Sequence, residues 1–311
     1  MEAAVLTLHQ VILMMLLIAV GMVCARLKWF TDDVAQALSR FLLWFVTPAL
    51  LINAFHRSYD AAEARGLLFS ALLGFLFHAM AAVIVQTTIR GGEQGKRAVA
   101  RMSAMYSNCG FMAFPLIAAV LGDIGVFYGS AFVGVFNLSL WTHGRALLLG
   151  RRGVTVRGAL CNAGVLGTIA GALIYFCRIP LPEIAGDLAA SLASLNTPLA
   201  MIVIGVFLSH CTLRSLFRRE VLWPAVLRTV LIPCCYLALL CLLRVSEWST
   251  ADASIGTVVL LCAACPSAAS SVLMTASLGM DSAYGSRIIL MTSILSVISI
   301  PILSFLSVLL L

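Results

Sequence analysis

The chain has very little charge. Only 11% of its 311 residues are charged and 62% are hydrophobic, whereas about 25% of the residues in a soluble domain are charged. A soluble fold of this size cannot cover so much apolar surface, and disorder requires low hydrophobicity with high charge. The composition therefore excludes soluble and disordered classes. The net charge of +7 does not indicate nucleic acid, because the 20 basic residues stand in short clusters between apolar runs.

Patterns typical of metal sites and enzymes are also missing. The ten cysteines form no Cys/His cluster with zinc spacing. Ser139 and His143 are spaced to share one helix face, but no orienting carboxylate or oxyanion motif accompanies them, as a hydrolase would require. We therefore expect no metal, no cofactor and no enzymatic activity.

Acidic residues are absent from the centres of the apolar runs. Asp123, Asp187, Asp252 and Asp281 all stand near the ends of such runs. A cation/proton antiporter is expected to bury carboxylates within the membrane, so the pattern argues against that class. The N-terminus also lacks the basic region of a signal peptide, because Glu2 stands there, and this is typical of a first transmembrane helix.

The sequence does contain ten apolar runs, each close to the roughly 20 residues that a helix needs to cross a bilayer. Their connections are short, so we expect one membrane domain over residues 1–311 and an all-α polytopic fold. The predicted spans are about 5–25, 34–55, 66–89, 98–121, 125–148, 159–178, 188–210, 222–244, 254–277 and 284–309.

The basic residues favour one orientation in the membrane. Sixteen of the 20, including Arg151, Arg152 and Arg228, are assigned to the side that follows odd-numbered spans. Such an excess marks the cytoplasmic side. We therefore predict a multi-pass protein of the inner (plasma) membrane with both termini outside. The four basic residues on the other side are Arg57, Arg65, Arg178 and Arg244.

The two halves of the chain share motifs at a nearly constant offset. Thr47-Pro48 recurs as Thr197-Pro198, at an offset of 150 residues, and Pro115 is matched by Pro266, at an offset of 151. Each half holds five predicted spans, an odd number, so the second half enters the membrane from the opposite side. The sequence predicts two inverted five-helix repeats, about 1–150 and 151–311, which is a signature of secondary transporters.

Two of the predicted spans contain helix-breaking residues. Gly110 and Pro115 interrupt span 4, and Pro266 interrupts span 9. Interrupted helices in matching positions of two halves indicate a transporter binding site. The alternative is a pair of simple proline kinks with small residues for packing, since proline is frequent in membrane helices.

Polar residues stand beside both predicted breaks. Asn108 precedes Gly110, and Ser267, Ser270 and Ser271 follow Pro266. The start of a half-helix carries about +0.5 of a charge together with free N–H groups. We therefore expect the breaks to hold an anion, with these side chains as additional hydrogen-bonding groups.

The run Asn108-x-Gly110-Phe111-x-x-x-Pro115 resembles the signature of the auxin efflux carrier (PIN-like) family, which includes bacterial organic-acid permeases. Thr197-Pro198 followed by Gly205 is similar to helix 7 of that family. The resemblance covers essentially the whole chain. It implies ten helices in two inverted repeats, a scaffold and a transport bundle, crossed helices 4 and 9, an anionic organic substrate at the crossing and often a homodimer.

The same resemblance assigns individual residues. Asn108 and Pro115 map to the first crossing helix, Pro266 maps to the second, and Asn137 in span 5 matches a position that faces the substrate. The connection between the halves is short, as in bacterial members. The chain departs from the family at Ala113, where glycine is frequent, and in span 3, which lacks the acidic residue of some members.

The predicted function is secondary transport of a small organic anion, such as a dicarboxylate or an auxin-like acid, by alternating access across the lipid bilayer. Two alternatives within transport are a sodium-coupled symporter of the bile-acid type and a cation/proton antiporter of similar fold. A third alternative is a membrane enzyme or sensor that transports nothing. The sequence leaves open the substrate, the direction and the coupling ion.

Overall fold

The computed structural model describes residues 2–150, 153–209, 211–245 and 255–311. Arg151, Arg152 and Asp252, which entered the sequence analysis, lie outside these ranges. Within them the chain is almost entirely helical. Its one β-type contact is an isolated antiparallel bridge between Ser107 and Ser267.

The described residues form thirteen helices, several of which include a π-helical turn. They are α1 (Glu2–Arg26), α2 (Asp32–Phe55), α3 (Ala61–Thr88), α4 (Gln94–Met105), α5 (Cys109–Leu149), α6 (Val156–Leu160), α7 (Ala163–Phe176), α8 (Glu183–Leu208), α9 (Leu213–Leu216), α10 (Arg219–Leu242), α11 (Ile255–Ala264), α12 (Ala269–Ser277) and α13 (Ser282–Leu310).

Seven of these helices are long and apolar enough to cross a membrane, namely α1, α2, α3, α5, α8, α10 and α13. The sequence predicted ten spans. The number differs because predicted span 4 is divided between α4 and the start of α5, and predicted span 9 between α11 and α12. The 41-residue α5 also turns at Gly122, whose φ of 63° is a conformation that glycine adopts without strain. Predicted span 6 retains 14 residues in α7.

Large apolar side chains cover the outside of the helices. On α3, Leu68, Leu72 and Phe75 are more than half exposed, whereas Leu73 and Phe77 on the opposite face are buried. A surface of this kind is favourable against lipid and unfavourable against water. The chain is therefore a multi-pass membrane protein.

Glycines allow some of these helices to touch backbone to backbone. A Cβ atom at Gly21 of α1 would lie 2.0 Å from the carbonyl oxygen of Ile202, and one at Gly205 of α8 would lie 2.1 Å from that of Ile18. Small residues at such crossings let membrane helices pack closely. Gly205, which the family motif includes, is thus a packing residue between α1 and α8.

The helix contacts can be described as two groups, which are joined by the packing of α1 on α13 and of α5 on α1 and α7. In one group α1 contacts α8, and α2 contacts both α7 and α8. In the other, α5 contacts α3 and α11, while α13 contacts α10 and α11. The interrupted segments α4–α5 and α11–α12 belong to the second group, which therefore contains the candidate site.

Candidate functional site

The backbone leaves the helical conformation at two places in the second group. The first break is residues 106–108, between α4 and α5, and the second break is residues 265–268, between α11 and α12. Both breaks lie close to the positions that the sequence predicted from Gly110, Pro115 and Pro266. Each interrupted segment therefore has two half-helices whose ends meet at a short extended stretch.

The two breaks cross each other and pair through their backbones. Asn108 N donates to Pro266 O at 2.7 Å, and Ala268 N donates to Tyr106 O at 2.9 Å. Ser107 stands opposite Ser267 in this pairing. The pattern relates each residue to the one 160 positions later by a local two-fold axis, and it satisfies backbone groups that would otherwise be unpaired inside the membrane.

The two motif prolines do not occupy equivalent positions in this contact, so the sequence match between them is wrong in register. Pro266 lies within the second break, where it disfavours helical backbone at Cys265 and ends α11. Pro115 lies further along its segment, in the first α-helical turn that follows the π-helical turn Cys109–Ala113. Its counterpart by the 160-residue offset is Thr275, inside α12.

The sequence predicted free N–H groups at the breaks. Near Pro115 the structure shows instead carbonyl groups that bind side chains of another helix. Because proline has no N–H, carbonyl oxygens about one turn earlier lose a helical donor. Asn196 of α8 donates its Nδ2 to Gly110 O at 3.0 Å, and Thr197 Oγ1 donates to Phe111 O at 3.1 Å. These two hydrogen bonds tie α8 to the start of α5, at carbonyl groups about one turn before Pro115.

Asn108 holds a hydrogen-bonding group of the crossing that no cap uses. It stands at the N-cap of α5, but its side chain makes no capping hydrogen bond. The residue is only 3% exposed, and its carboxamide has no partner among the described residues. Next to it, the position of a Cβ on Gly110 has no atom within 4 Å. A buried amide beside open space is a position for a ligand, because buried polar groups are nearly always paired.

The serines of the second break are mostly engaged in holding the structure. Ser267 is fully buried, its Oγ donates to Ser103 O at 2.6 Å, and its N donates to Thr292 Oγ1 at 3.1 Å. Ser270 is half-buried in the first turn of α12. Ser271, which was not among the foremost sequence candidates, has a buried Oγ without a partner. Ser271 therefore offers a buried hydroxyl without a partner on this side.

Asn137 lies on a different face of α5. Its Nδ2 donates to Val133 O at 3.0 Å, and its carboxamide packs directly against Gly164 of α7. In this conformation the amide is used between α5 and α7, and the structure does not bring it together with Asn108.

Several buried polar atoms without partners belong to residues that were not among the predicted site residues. Asn196 Oδ1, Ser107 Oγ, His78 Nε2 and Thr47 Oγ1 are buried without hydrogen-bond partners. One signal could have identified the first of them, because Asn196 directly precedes the repeated Thr-Pro motif. Polar residues inside apolar runs are functional candidates by default.

Arg228 corrects the topology argument. The sequence analysis assigned it to the cytoplasmic side, but the structure places it fully buried in α10. The basic residues assigned to that side then number fifteen, against four on the other. An arginine within an apolar run was itself a signal of function, but counting it among the basic residues of a loop obscured that signal.

A cavity of about 710 Å³ opens towards the crossing between α2, α8, α12 and α13, and Arg40 and Arg287 contribute to its lining. A small inner pocket continues from Ser39 and reaches Phe111 and Ala269. These two residues stand in the first turns of the half-helices that follow the breaks. The lining of the cavity holds Asp32 as well as the two arginines, and the small pocket reaches the first turns of α5 and α12, although none of residues 106–108 or 265–268 lines either space.

Comparison with known proteins identifies the family. The family model described as "Membrane transport protein" matches residues 6–157 and again residues 152–304. The chain therefore belongs to this membrane transport family, the auxin efflux carrier (PIN-like) family indicated by its motifs. No curated protein matches the chain.

Among the described residues, no three His, Cys, Asp or Glu side chains are placed to hold a metal ion.

Proposed function

We propose that this protein is a secondary transporter that binds a small organic anion at the crossing of the two breaks and moves it by alternating access. The observation that carries the proposal is Asn108, a residue only 3% exposed whose carboxamide makes no capping hydrogen bond and which stands two residues before the open space at Gly110. A carboxylate is the ligand chemistry that an amide N–H donor at a half-helix start recognises.

The electrostatics of the crossing support an anion. Helices α5 and α12 both begin there, and each helix start is equivalent to about +0.5 of a charge. Ala268, the N-cap residue of α12, lends no side-chain cap to the first N–H groups. Ser271 Oγ adds a buried donor without a partner. Asn137 and Ser270 belong to the proposed site only in a conformation that turns them towards the crossing.

The proposal includes ten membrane crossings in two inverted five-helix repeats. The double match of one family model to the two halves supports a repeat. The local two-fold axis between the breaks supports its inversion, because an inverted repeat relates its halves by such an axis in the membrane plane. The two helix groups then correspond to a scaffold and a transport bundle.

The proposed orientation places both termini outside the inner membrane, with the mouth near Arg40 and Arg287 on the cytoplasmic side. The fifteen-to-four distribution of basic residues supports it. A Lys96→Cys variant in a cysteine-free background tests the orientation with an impermeant thiol reagent. Protection in sealed cells and labelling after permeabilisation are expected, and labelling in sealed cells would reverse the orientation.

A homodimer remains a proposal from the family resemblance.

Uptake into proteoliposomes tests the transport proposal directly. Labelled malate, malonate and benzoate should first be ranked by the rise in melting temperature that each gives the purified protein, because ligands stabilise the state they bind. At least one should then accumulate faster in proteoliposomes than in protein-free liposomes. If none of these anions stabilises the protein and none accumulates, the proposal of organic-anion transport is wrong. The result would then favour the alternative of a membrane enzyme or sensor that transports nothing.

The alternatives within transport differ in their coupling ion. Replacing external sodium by choline, or imposing a pH gradient, separates a sodium symporter from a proton-coupled or uncoupled carrier in the same uptake assay. Among the described residues, the buried polar and charged group includes no Asp or Glu. This absence of buried carboxylates disfavours the cation/proton antiporter.

A further inference from the structure

Arg228 is the one Lys or Arg that is fully buried among the described residues. It stands in the π-helical turn Leu227–Leu231 of α10, which precedes Pro233. Removing an arginine from water costs several kcal/mol unless its charge and its donors find partners. Groups around the guanidinium compensate its two Nη atoms, whereas its buried Nε has no hydrogen-bond partner.

The guanidinium is bound by the ends of two half-helices. Its Nη1 donates to Met105 O at 2.8 Å and to Ala104 O at 3.5 Å, and its Nη2 donates to Ala263 O. These oxygens belong to the last turns of α4 and α11, the two half-helices that lead into the breaks. The guanidinium carbon also lies 5.5 Å from the centre of the Phe77 ring.

No carboxylate among the described residues balances this charge. The ion pairs found there join Arg57 to Glu63 and Arg218 to Glu220, near the surface. Each helix C-terminus carries about −0.5 of a charge, so two C-termini together offset about one positive charge. The charge of Arg228 thus balances the two half-helix ends, and a second cation at the same carbonyls would be uncompensated.

Transporters with broken helices use such carbonyls for another purpose. Unwound backbone and half-helix C-termini commonly coordinate a sodium ion or a proton. We infer that Arg228 is a built-in cation of the crossing, which occupies the half-helix carbonyls that a coupling sodium ion would need, so that transport by this protein requires no sodium at this site. The inference rests on the proposed function, because it assigns the coupling of that same site.

Arg228 is then a positioning residue rather than a ligand of the anion. It holds the C-terminal ends of α4 and α11 together, while the N-terminal ends of α5 and α12 remain for the anion. Both pairs of ends meet at the crossing, so Arg228 offsets the negative C-terminal ends that would otherwise repel an anion there.

Melting temperature of the purified full-length protein tests the inference without any anion. For the wild type, exchange of sodium chloride for choline chloride at constant ionic strength should leave the melting temperature unchanged. Arg228→Ala should melt several degrees lower, and sodium chloride or low-millimolar methylguanidinium chloride should raise its melting temperature in a saturable way. Arg228→Lys, which keeps the charge, should lose less and show no sodium response.

The matched control is Arg65→Ala, which removes an exposed arginine at the start of α3. It should melt as the wild type does and respond to neither cation. A saturable sodium response of the wild type would overturn the inference even if Arg228→Ala fails to fold, and so would a folded Arg228→Ala with no cation response. If anion uptake requires sodium, this inference alone is wrong. If sodium or methylguanidinium stabilises Arg228→Ala but no anion is taken up by the wild type, the transport proposal alone is wrong.

Discussion

The two breaks that cross in this protein are similar in backbone and different in side chains. Each contributes one N–H and one carbonyl to the pairing. At the first break the Asn108 side chain is unpaired beside open space. At the second break the Ser267 side chain is buried between Ser103 and Thr292. Near two-fold symmetry of the backbone therefore coexists with a difference in side chains, and in the proposed function the first break binds the anion while the second holds the structure.

The division has a physical reason. A hydroxyl is short and donates one hydrogen bond, so Ser267 can be satisfied by a neighbouring carbonyl even at a close crossing. A carboxamide has two donors and an acceptor, and that of Asn108 makes no hydrogen bond with the described part of the chain. An inverted repeat needs its two halves to be interchangeable in backbone shape, but it does not need both to contact the substrate.

The largest expected effect is that of Asn108→Ala on anion affinity. Loss of one hydrogen bond to a charged ligand costs about 1.5–3 kcal/mol, which is roughly a 10- to 100-fold loss of affinity. The melting temperature should change little, because no protein partner is lost. Isothermal titration with the carboxylate that stabilises the wild type measures the dissociation constants of the wild type and of Asn108→Ala. Wild-type affinity in the variant would remove Asn108 from the site and break the comparison.

Ser267→Ala should give the reverse pattern. Its hydroxyl is fully buried and bonded to Ser103 O, so its loss should lower stability by about 1–2 kcal/mol. Anion affinity of the folded protein should stay within about threefold of the wild type, since the effect on the ligand is indirect. Denaturation and titration on the same preparation check this. A large loss of affinity with normal stability would mean that the second break also binds.

Pro115→Ala should have a smaller effect, and it should depend on Thr197. The new N–H competes with Thr197 Oγ1 for carbonyls near Phe111. A double-mutant cycle of Pro115→Ala with Thr197→Val should therefore show a coupling energy of about 0.5–1 kcal/mol in stability. Strict additivity would mean that Pro115 only bends the segment, as the kink interpretation holds.

The smallest effect is expected for Ser270→Ala, the matched control for Asn108→Ala. Ser270 is half-buried at the start of α12, and substitutions away from buried networks usually change stability by less than about 0.5 kcal/mol. Affinity and uptake should stay close to the wild type. A loss as large as that of Asn108→Ala would move the anion towards the second break.

Local sequence located both breaks, although it misjudged how they correspond. Pro266 ends α11 because proline restricts the residue before it, which is a short-range effect that a reader of the sequence can apply. The match of Pro115 with Pro266 at an offset of 151 failed because proline is frequent in membrane helices. The pairing at an offset of 160 depends on which backbone groups meet across the crossing.

The sequence by itself determined the membrane class, the family and the approximate position of the breaks, because apolar run length, helix-breaking residues and short motifs act locally along the chain. Only the tertiary structure decided which polar groups are free. Asn108 is unpaired, Ser267 is occupied, and Arg228 lies at two half-helix ends rather than in a loop. The contacts of Ser267 with Ser103 and of Arg228 with Met105 join residues more than a hundred positions apart, and such contacts are fixed by helix packing and not by local propensity.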